Sequence, residues 1–374
     1  MRYFLIAGEA SGDLHASNLM RELKCQDKNA EFCFLGGDLM KKEACKEPII
    51  HYRRMAFMGI INVLLNLRTV LDNLKCCKRA LLNFNPDVVI LIDYPSFNLQ
   101  VAKFVKNKTS IPVYYYISPK IWAWKEYRIK SIKKYIDKMY CIFPFEVDFY
   151  KKHNYAIDYV GNPTVDSVAS FLEKAEDKAI FLERNSLSDK PIVALLSGSR
   201  RQEIAKCLPL MANMAKKFPE YQFVVAGAPG VSVDFYDAYA KGLPVVFGQT
   251  YDLVKNAKVA IVNSGTATLE TALLKTPQVV VYHVFGGRFA TLLKSMLLHI
   301  KYVSLVNLIA DSELVPELIA HLFTEENLQN HLSSLLYENS IREAQMLGYE
   351  ALAKRLGGAG CASKTAMLIN TSLQ

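Results

Sequence analysis

Asp93 ends the apolar run 87–92 and opens Asp93-Tyr94-Pro95-Ser96-Phe97-Asn98. A carboxylate at the carboxyl end of a buried strand points into the crevice of an open sheet, where a general base is useful. The competing reading is an N-cap for the helix after Pro95. Gly8-Glu9-Ala10-Ser11-Gly12-Asp13 follows the run 3–7 and precedes a helix. Its glycines permit a tight turn and close backbone approach, and the helix N-terminus attracts anions. The segment matches neither G-x-G-x-x-G nor a P-loop, so the dinucleotide and ATP readings lose support. A plain strand-to-helix turn capped by Ser11 or Asp13 explains the same residues.

Two further turns share this layout. Ser197-Gly198-Ser199-Arg200-Arg201 follows the run 192–196. Its backbone amides and the Arg200 guanidinium suit a diphosphate. A capping turn with a solvent-exposed arginine is the alternative. Asn263-Ser264-Gly265-Thr266-Ala267-Thr268-Leu269-Glu270 follows the run 259–262 and places Glu270 about one turn into a helix. A carboxylate there suits the two ribose hydroxyls of a nucleotide. Two such turns in one domain favour a nucleoside diphosphate over either turn alone.

Ser118-Pro119-Lys120-Ile121-Trp122-Ala123-Trp124 holds both tryptophans of the chain. The helix after it sets Lys125, Arg128, Lys130, Lys133 and Lys134 against an apolar stripe of Ile129, Ile132 and Ile136. Basic charge beside tryptophan suits a membrane interface or a phosphate-bearing substrate, against the plain alternative of a solvated charged face. Segment 57–74 is unusually apolar: Ile60, Val63, Leu67, Val70 and Leu74 make one stripe, widened by Ile61, Leu64, Leu65 and Leu71. A stripe that wide meets lipid or an acyl chain, or else belongs to a helix buried on two sides.

These turns need a scaffold. Short Val- and Ile-rich runs recur at 3–7, 32–35, 88–92, 113–116 and 139–142, then at 192–196, 223–226, 245–247, 259–262 and 279–282. Few alternate strictly, as expected of strands buried on both faces. Helical patterns between them imply parallel sheets with crossover helices. The 374 residues suggest two domains, with a break near Gly161-Asn162-Pro163. We expect domains at 1–165 and 166–340 and a helical tail at 341–374, with no strand in roughly the last 70 residues. Two such domains fit a ligand in a cleft at the carboxyl ends of both sheets.

Composition narrows the partners. Lysine and arginine number 45 against 36 aspartates and glutamates, a surplus that suits an anionic partner. Nucleic acid is not expected: no recognition motif is present, and Glu9, Asp93 and Glu270 would oppose a phosphate backbone. The 8 cysteines form no C-x-x-C pair and read as reduced thiols of a cytosolic protein. His15 and His283 lie near the motifs, yet no H-E-x-x-H is present, and no metal or other cofactor is expected. There is no G-x-S-x-G elbow for a hydrolase. No run reaches the length of a membrane span, and the N-terminal run is too short for a signal peptide, so membrane contact is expected to be peripheral.

Taken together, the chain resembles the lipid-A-disaccharide synthase family, inverting glycosyltransferases of lipopolysaccharide biosynthesis. The resemblance is carried by the Gly8–Asp13 turn and its helix, Met58-Gly59-Ile60, the Asp93–Asn98 segment, and residues 117–124. It continues through Gly161-Asn162-Pro163, Gly198-Ser199-Arg200 with Glu203-Ile204, residues 264–270 and residues 305–317. These pieces span nearly the whole chain in family order. Ser197, Val306, Asp311-Ser312 and Leu14-His15-Ala16 depart from the usual pattern.

The resemblance implies a glycosyltransferase-B fold, with two Rossmann-like domains facing a cleft and C-terminal helices packing back on the first. It implies condensation of UDP-2,3-diacylglucosamine with 2,3-diacylglucosamine 1-phosphate, giving a β(1→6) disaccharide 1-phosphate and UDP. The work would be done at the cytoplasmic face of the inner membrane, on an anionic surface, and a homodimer is compatible with it. The expected roles are Asp93 as base, with Glu9 positioning acceptor or base. Gly198, Ser199, Arg200, Ser264, Gly265, Thr266, Glu270, Asn307 and Glu317 would hold the donor. Ser11, Gly12, Met58, Trp122 and Trp124 would meet acceptor or membrane. A UDP-sugar epimerase of the same fold and a non-catalytic lipid-binding relative are the rivals.

Overall fold

A computed structural model describes residues 1–55, 66–283 and 301–373. The expected acceptor residue Met58 and the apolar positions 57–65 lie outside the described residues. The chain divides into two compact units, Met1–Pro163 with Ala359–Gln374, and Thr164–Gly358.

The first unit is built on β1 (Arg2–Ala7), β2 (Glu31–Gly36), β3 (Ile50–His51), β4 (Val88–Ile92), β5 (Val113–Tyr116), β6 (Lys138–Cys141) and β7 (Asp158–Tyr159). They form one parallel sheet in the order β3-β2-β1-β4-β5-β6-β7. The order reverses between β1 and β4, the switch point at which open α/β sheets place their ligands. Both faces are covered. Along β1, Phe4 and Ile6 join one apolar core while Tyr3, Leu5 and Ala7 join the other. A strand buried on both sides has no reason to alternate polar with apolar residues, which is why these runs read as continuous.

The second unit uses β8 (Ile192–Leu196), β9 (Gln222–Gly227), β10 (Val245–Phe247), β11 (Ala257–Asn263), β12 (Gln278–Tyr282) and β13 (Glu317–Ile319). Its parallel order is β10-β9-β8-β11-β12-β13, with the switch point between β8 and β11. Val193 and Leu195 enter one core, and Ile192, Ala194 and Leu196 the other.

The C-terminal region differs from expectation in two places. A strand does form there: β13 pairs with β12 from Val280↔Glu317 to Tyr282↔Ile319. At three residues, directly after Pro316, it is too short to show a period. The helix Asn339–Leu356 belongs to the second unit. Gln345 Oε1 accepts the Gln278 amide at 2.9 Å, and Tyr349 and Gln278 bond at 3.1 Å, so this helix is fixed to the start of β12. The segment that packs back on the first unit is Cys361–Leu373, not all of 341–374. Its Cys361, Ala366 and Ile369 are buried with Ala16, Leu19 and Leu23 of the helix Ala10–Gln26.

Candidate active site

Asp93 and Tyr94, the two residues after β4, both have left-handed backbones, with φ of 43° and 48°. Neither is glycine, and such conformations cost about 1–3 kcal/mol each unless the surroundings over-determine them. Here they do. The Tyr115 hydroxyl donates to the Asp93 carbonyl at 2.5 Å, and Asn98 Nδ2 donates to the same oxygen at 2.7 Å. The Asp93 amide donates to the Tyr116 carbonyl at 3.2 Å. The Tyr94 hydroxyl reaches across to the Met55 carbonyl at 2.6 Å. Asp93 is half-buried. Burial raises its carboxyl pKa, and the Lys120 charge and a Tyr94 backbone hydrogen bond pull it partly back. A raised carboxyl pKa suits proton abstraction near neutral pH.

Glu9 precedes the helix Ala10–Gln26 without capping it. Burial raises the Tyr94 phenol pKa, and the Glu9 charge adds to the rise, so Glu9 and the Asp93–Tyr94 corner share the β1/β4 switch point. Gly8 permits this, because a Cβ there would stand 2.3 Å from the Tyr94 ring. Gly12 is buried where the helix crosses β1, and a Cβ on it would lie 3.3 Å from the Ala7 Cβ. Ser11 is exposed.

Asp13 caps a helix other than its own. Its buried carboxylate accepts the amides of Gly37 (2.7 Å), Leu39 (3.1 Å) and Met40 (3.1 Å), serving as the cap of the helix Asp38–Ala44. Asp13 thus ties the first motif to the end of β2.

The structure separates the two tryptophans. Trp122 Nε1 donates to Glu146 Oε1 at 3.0 Å, and its ring meets Phe143 and Phe145 edge to face. Its polar edge is therefore spent inside the unit. Trp124 is 52% exposed, with the Lys125 ammonium 4.0 Å from its ring centre. Glu146, which sequence reasoning passed over, is fully buried and also accepts from Ser118 Oγ at 2.5 Å and the Phe143 amide at 3.1 Å. Burial pushes its pKa up to about 7, against the pull of these donors and of Lys120. The one signal for it was Pro144 followed by an acid in the first turn of a helix.

In the second unit a cavity of about 410 Å³ opens at the carboxyl ends of β8, β9 and β11. Gly198, Ser199, Arg200, Ser264, Gly265, Thr266 and Glu270 all line it. The two turns are not equivalent. At the first, Glu203 Oε2 accepts the amides of Ser199 (3.2 Å) and Arg200 (3.3 Å), while Glu203 Oε1 meets the Arg200 guanidinium at 3.3 Å. Gly198 has φ +113°, and a Cβ there would lie 2.7 Å from Glu203 Oε2. At the second turn, the amides of Gly265, Thr266 and Ala267 have no acceptor among the described residues, and no side chain caps the helix Thr266–Leu273. Glu270 receives the Tyr251 hydroxyl at 3.0 Å; burial raises its pKa and this bond lowers it.

Asn307 and Glu317, expected to bind donor, do not line this cavity. Asn307 is fully buried. Its Nδ2 donates to the Val315 carbonyl and to Glu317 Oε1, both at 2.9 Å, and its Oδ1 accepts the amides of Leu314 and Val315. Glu317 further accepts the amides of Val303 and Ser304. Together they clamp residues 303–317 into shape. Ser264 Oγ donates to the Val303 carbonyl at 3.1 Å, linking this clamp to the rim of the cavity.

No group of three or more His, Cys, Asp or Glu side chains among the described residues is arranged to hold a metal ion. Burial lowers the His15 pKa to about 4, so its ring is neutral at physiological pH.

Both the fold and the sequence have known relatives. Solved structures with the same fold include UDP-GlcNAc 2-epimerase from Neisseria meningitidis bound to UDP-GlcNAc, at TM-score 0.67 and 13% identity over 100% of this chain and 99% of that one. A calicheamicin glycosyltransferase matches at TM-score 0.60 and 13% identity, covering 100% and 98%. At such identities the likeness concerns the fold alone. Sequence relatives are much nearer. The lipid-A-disaccharide synthase of Myxococcus xanthus is 37% identical across 98% of this chain and 96% of its own. That of Geobacter metallireducens is 34% identical over the same shares, 98% and 96%. The family description for lipid-A-disaccharide synthetase matches residues 3–369. The chain therefore belongs to the lipid-A-disaccharide synthase family, glycosyltransferases that condense UDP-diacylglucosamine with diacylglucosamine 1-phosphate.

Proposed function

We propose that this protein joins UDP-2,3-diacylglucosamine to 2,3-diacylglucosamine 1-phosphate through a β(1→6) bond, with Asp93 as general base. Asp93 takes the proton from the acceptor 6-hydroxyl. That oxygen bonds to the donor's anomeric carbon, the bond from that carbon to UDP breaks, and its electron pair leaves on the UDP phosphate. Glu9, beside Tyr94, positions the acceptor or the base.

The observation that carries this reading is the inequality of the two turns in the second unit. Glu203 occupies the Ser199 and Arg200 amides, whereas those of Gly265, Thr266 and Ala267 have no acceptor among the described residues. The developing UDP charge is therefore met by the second turn, where preorganised amides are most effective. Arg200, whose side chain is 65% exposed, brings its positive charge to the same phosphates. Glu270, steadied by Tyr251, takes the ribose hydroxyls. Gly198 and Ser199 shape the wall.

We place the protein at the cytoplasmic face of the inner membrane as a peripheral enzyme. No described helix is long and apolar enough to cross a membrane. Support for surface contact comes from Leu67 and Leu71, each 48% exposed, with Lys75 and Arg79 on the same helix, and from exposed Trp124 beside Lys125. Such binding weakens as salt screens the charges.

The test is mass spectrometry of the products from purified protein and the two diacylated substrates. A disaccharide 1-phosphate with UDP is expected. Epimerisation of UDP-N-acetylglucosamine without an acceptor, and no disaccharide, would replace this reading with the epimerase one.

A further inference from the structure

Two cations lie near the Asp93 corner, and among the described residues neither is held in an ion pair. β4 and β5 end side by side, with Ile92 opposite Tyr116, so the segment after β5 leaves the sheet next to Asp93. That segment is held rigidly. Ser118 and Trp122 are bonded to Glu146, and the Tyr150 hydroxyl donates to the Pro119 carbonyl at 3.3 Å. It carries the exposed Lys120, whose charge reaches the Asp93 carboxyl. Arg128 ends the helical turn Glu126–Arg128. Its Nη2 donates to Ser96 Oγ at 2.9 Å, three residues past Asp93, and its charge is felt by the Tyr115 hydroxyl that touches the Asp93 carbonyl. Among the described residues neither Lys120 nor Arg128 forms an ion pair.

A site with Glu9 and Asp93 repels a phosphorylated acceptor unless cations offset them. On the reading above, the donor diphosphate is met in the second unit by the amides of residues 265–267 and by Arg200. We infer that Arg128, assisted by Lys120, binds the phosphomonoester of the acceptor, one sugar ring away from the hydroxyl that reacts. The inference rests on the reading of Asp93 as the base for that hydroxyl. A guanidinium pairs with phosphate through two parallel N–H bonds, a match that an ammonium cannot give. The Ser96 hydroxyl accepts from Arg128 and keeps its own proton to donate to a phosphate oxygen.

The experiment compares kcat/KM for diacylglucosamine 1-phosphate and for the same acceptor without its phosphate, with one donor, in the wild type, R128M, K120M and S96A. The wild type should favour the phosphorylated acceptor. R128M should lower that preference by about tenfold or more, the scale of a lost charge-assisted hydrogen bond. K120M and S96A should lower it by about threefold, with the donor KM within about twofold of wild type throughout. Equal losses on both acceptors, or a preference unchanged in R128M, would overturn the assignment. If R128M does not fold, an unchanged preference in both K120M and S96A overturns it as well. A wild type that turns over neither acceptor removes the reading of Asp93 and this inference with it.

Discussion

A Cβ on Gly8 would stand 2.3 Å from Cδ1 of Tyr94, so the first turn of the chain and the strained corner after β4 occupy one another's space. The pair joins the ends of β1 and β4, neighbours at the switch point of the first sheet.

It follows that Gly8→Ala drives the Tyr94 ring away and with it the hydroxyl bonded to Met55. Overpacking of this kind costs about 1–3 kcal/mol. Thermal denaturation should show that loss, and kcat should fall further than stability alone explains, because Asp93 is adjacent. A variant with wild-type Tm and kcat would contradict the contact.

Asp93→Asn separates stability from activity. A carboxyl whose folded pKa is raised makes the native state less stable once the pH exceeds the unfolded value, and the deficit grows as the pH rises to the folded value. Asn carries no such burden and its Oδ1 still accepts from the Tyr94 backbone. The variant should therefore melt no lower than wild type at pH 7 to 8, while kcat drops by about 10²–10⁴-fold. Near-normal turnover in a folded variant would remove Asp93 from the role of base.

Glu146 should leave a signature in stability against pH. Its folded pKa of about 7 lies above the ordinary glutamate value, so folding takes up a proton in the window between them. Wild-type stability falls across that window as pH rises, by at most about 1.4 kcal/mol per pH unit from this group. E146Q does not titrate. The stability difference, wild type minus E146Q, should fall from about pH 5 to about pH 7 and level off above it in denaturant titrations. A constant difference would mean that Glu146 ionises normally.

Asn307 and Glu317 offer a contrast between fold and ligand. N307D places a second carboxylate against Glu317 Oε1, which Asn307 Nδ2 reaches at 2.9 Å, in a buried setting. The loss should be about 3–5 kcal/mol. N307A, which leaves Glu317 and the Leu314 and Val315 amides short of one partner each, should lose less. Both should bind UDP with near-normal affinity in the fraction that remains folded, measured calorimetrically. A selective loss of UDP affinity at full stability would return Asn307 to the donor site.

The central strands and their turns were legible because burial on both faces writes long apolar runs, and the turns that follow are rich in glycine and serine. The edge strands were not. β3 and β7 have two residues each and β13 three, lengths at which no period exists. Among the candidate residues, Asp93, Arg200 and Glu270 stand out by their places after apolar runs. What sequence could not assign was which acid satisfies which amide. Asp13 caps a neighbouring helix, Glu203 closes the turn that contains Arg200, and Glu146 holds Trp122. Each of these depends on a partner brought near only by folding, as does the bond between Asn307 and Glu317.

The Tyr3 hydroxyl bonds to Asn370 Oδ1 at 3.0 Å, and the Met1 ammonium meets Asp27 within the same unit. Residues far apart in the chain thus meet on one sheet, and the second unit, Thr164–Gly358, is an insertion within the first. During synthesis the helix Cys361–Leu373 emerges only after that whole unit, so one face of the first sheet stays unsealed until then. A nascent chain stalled before Ala359 would present that greasy surface to chaperones.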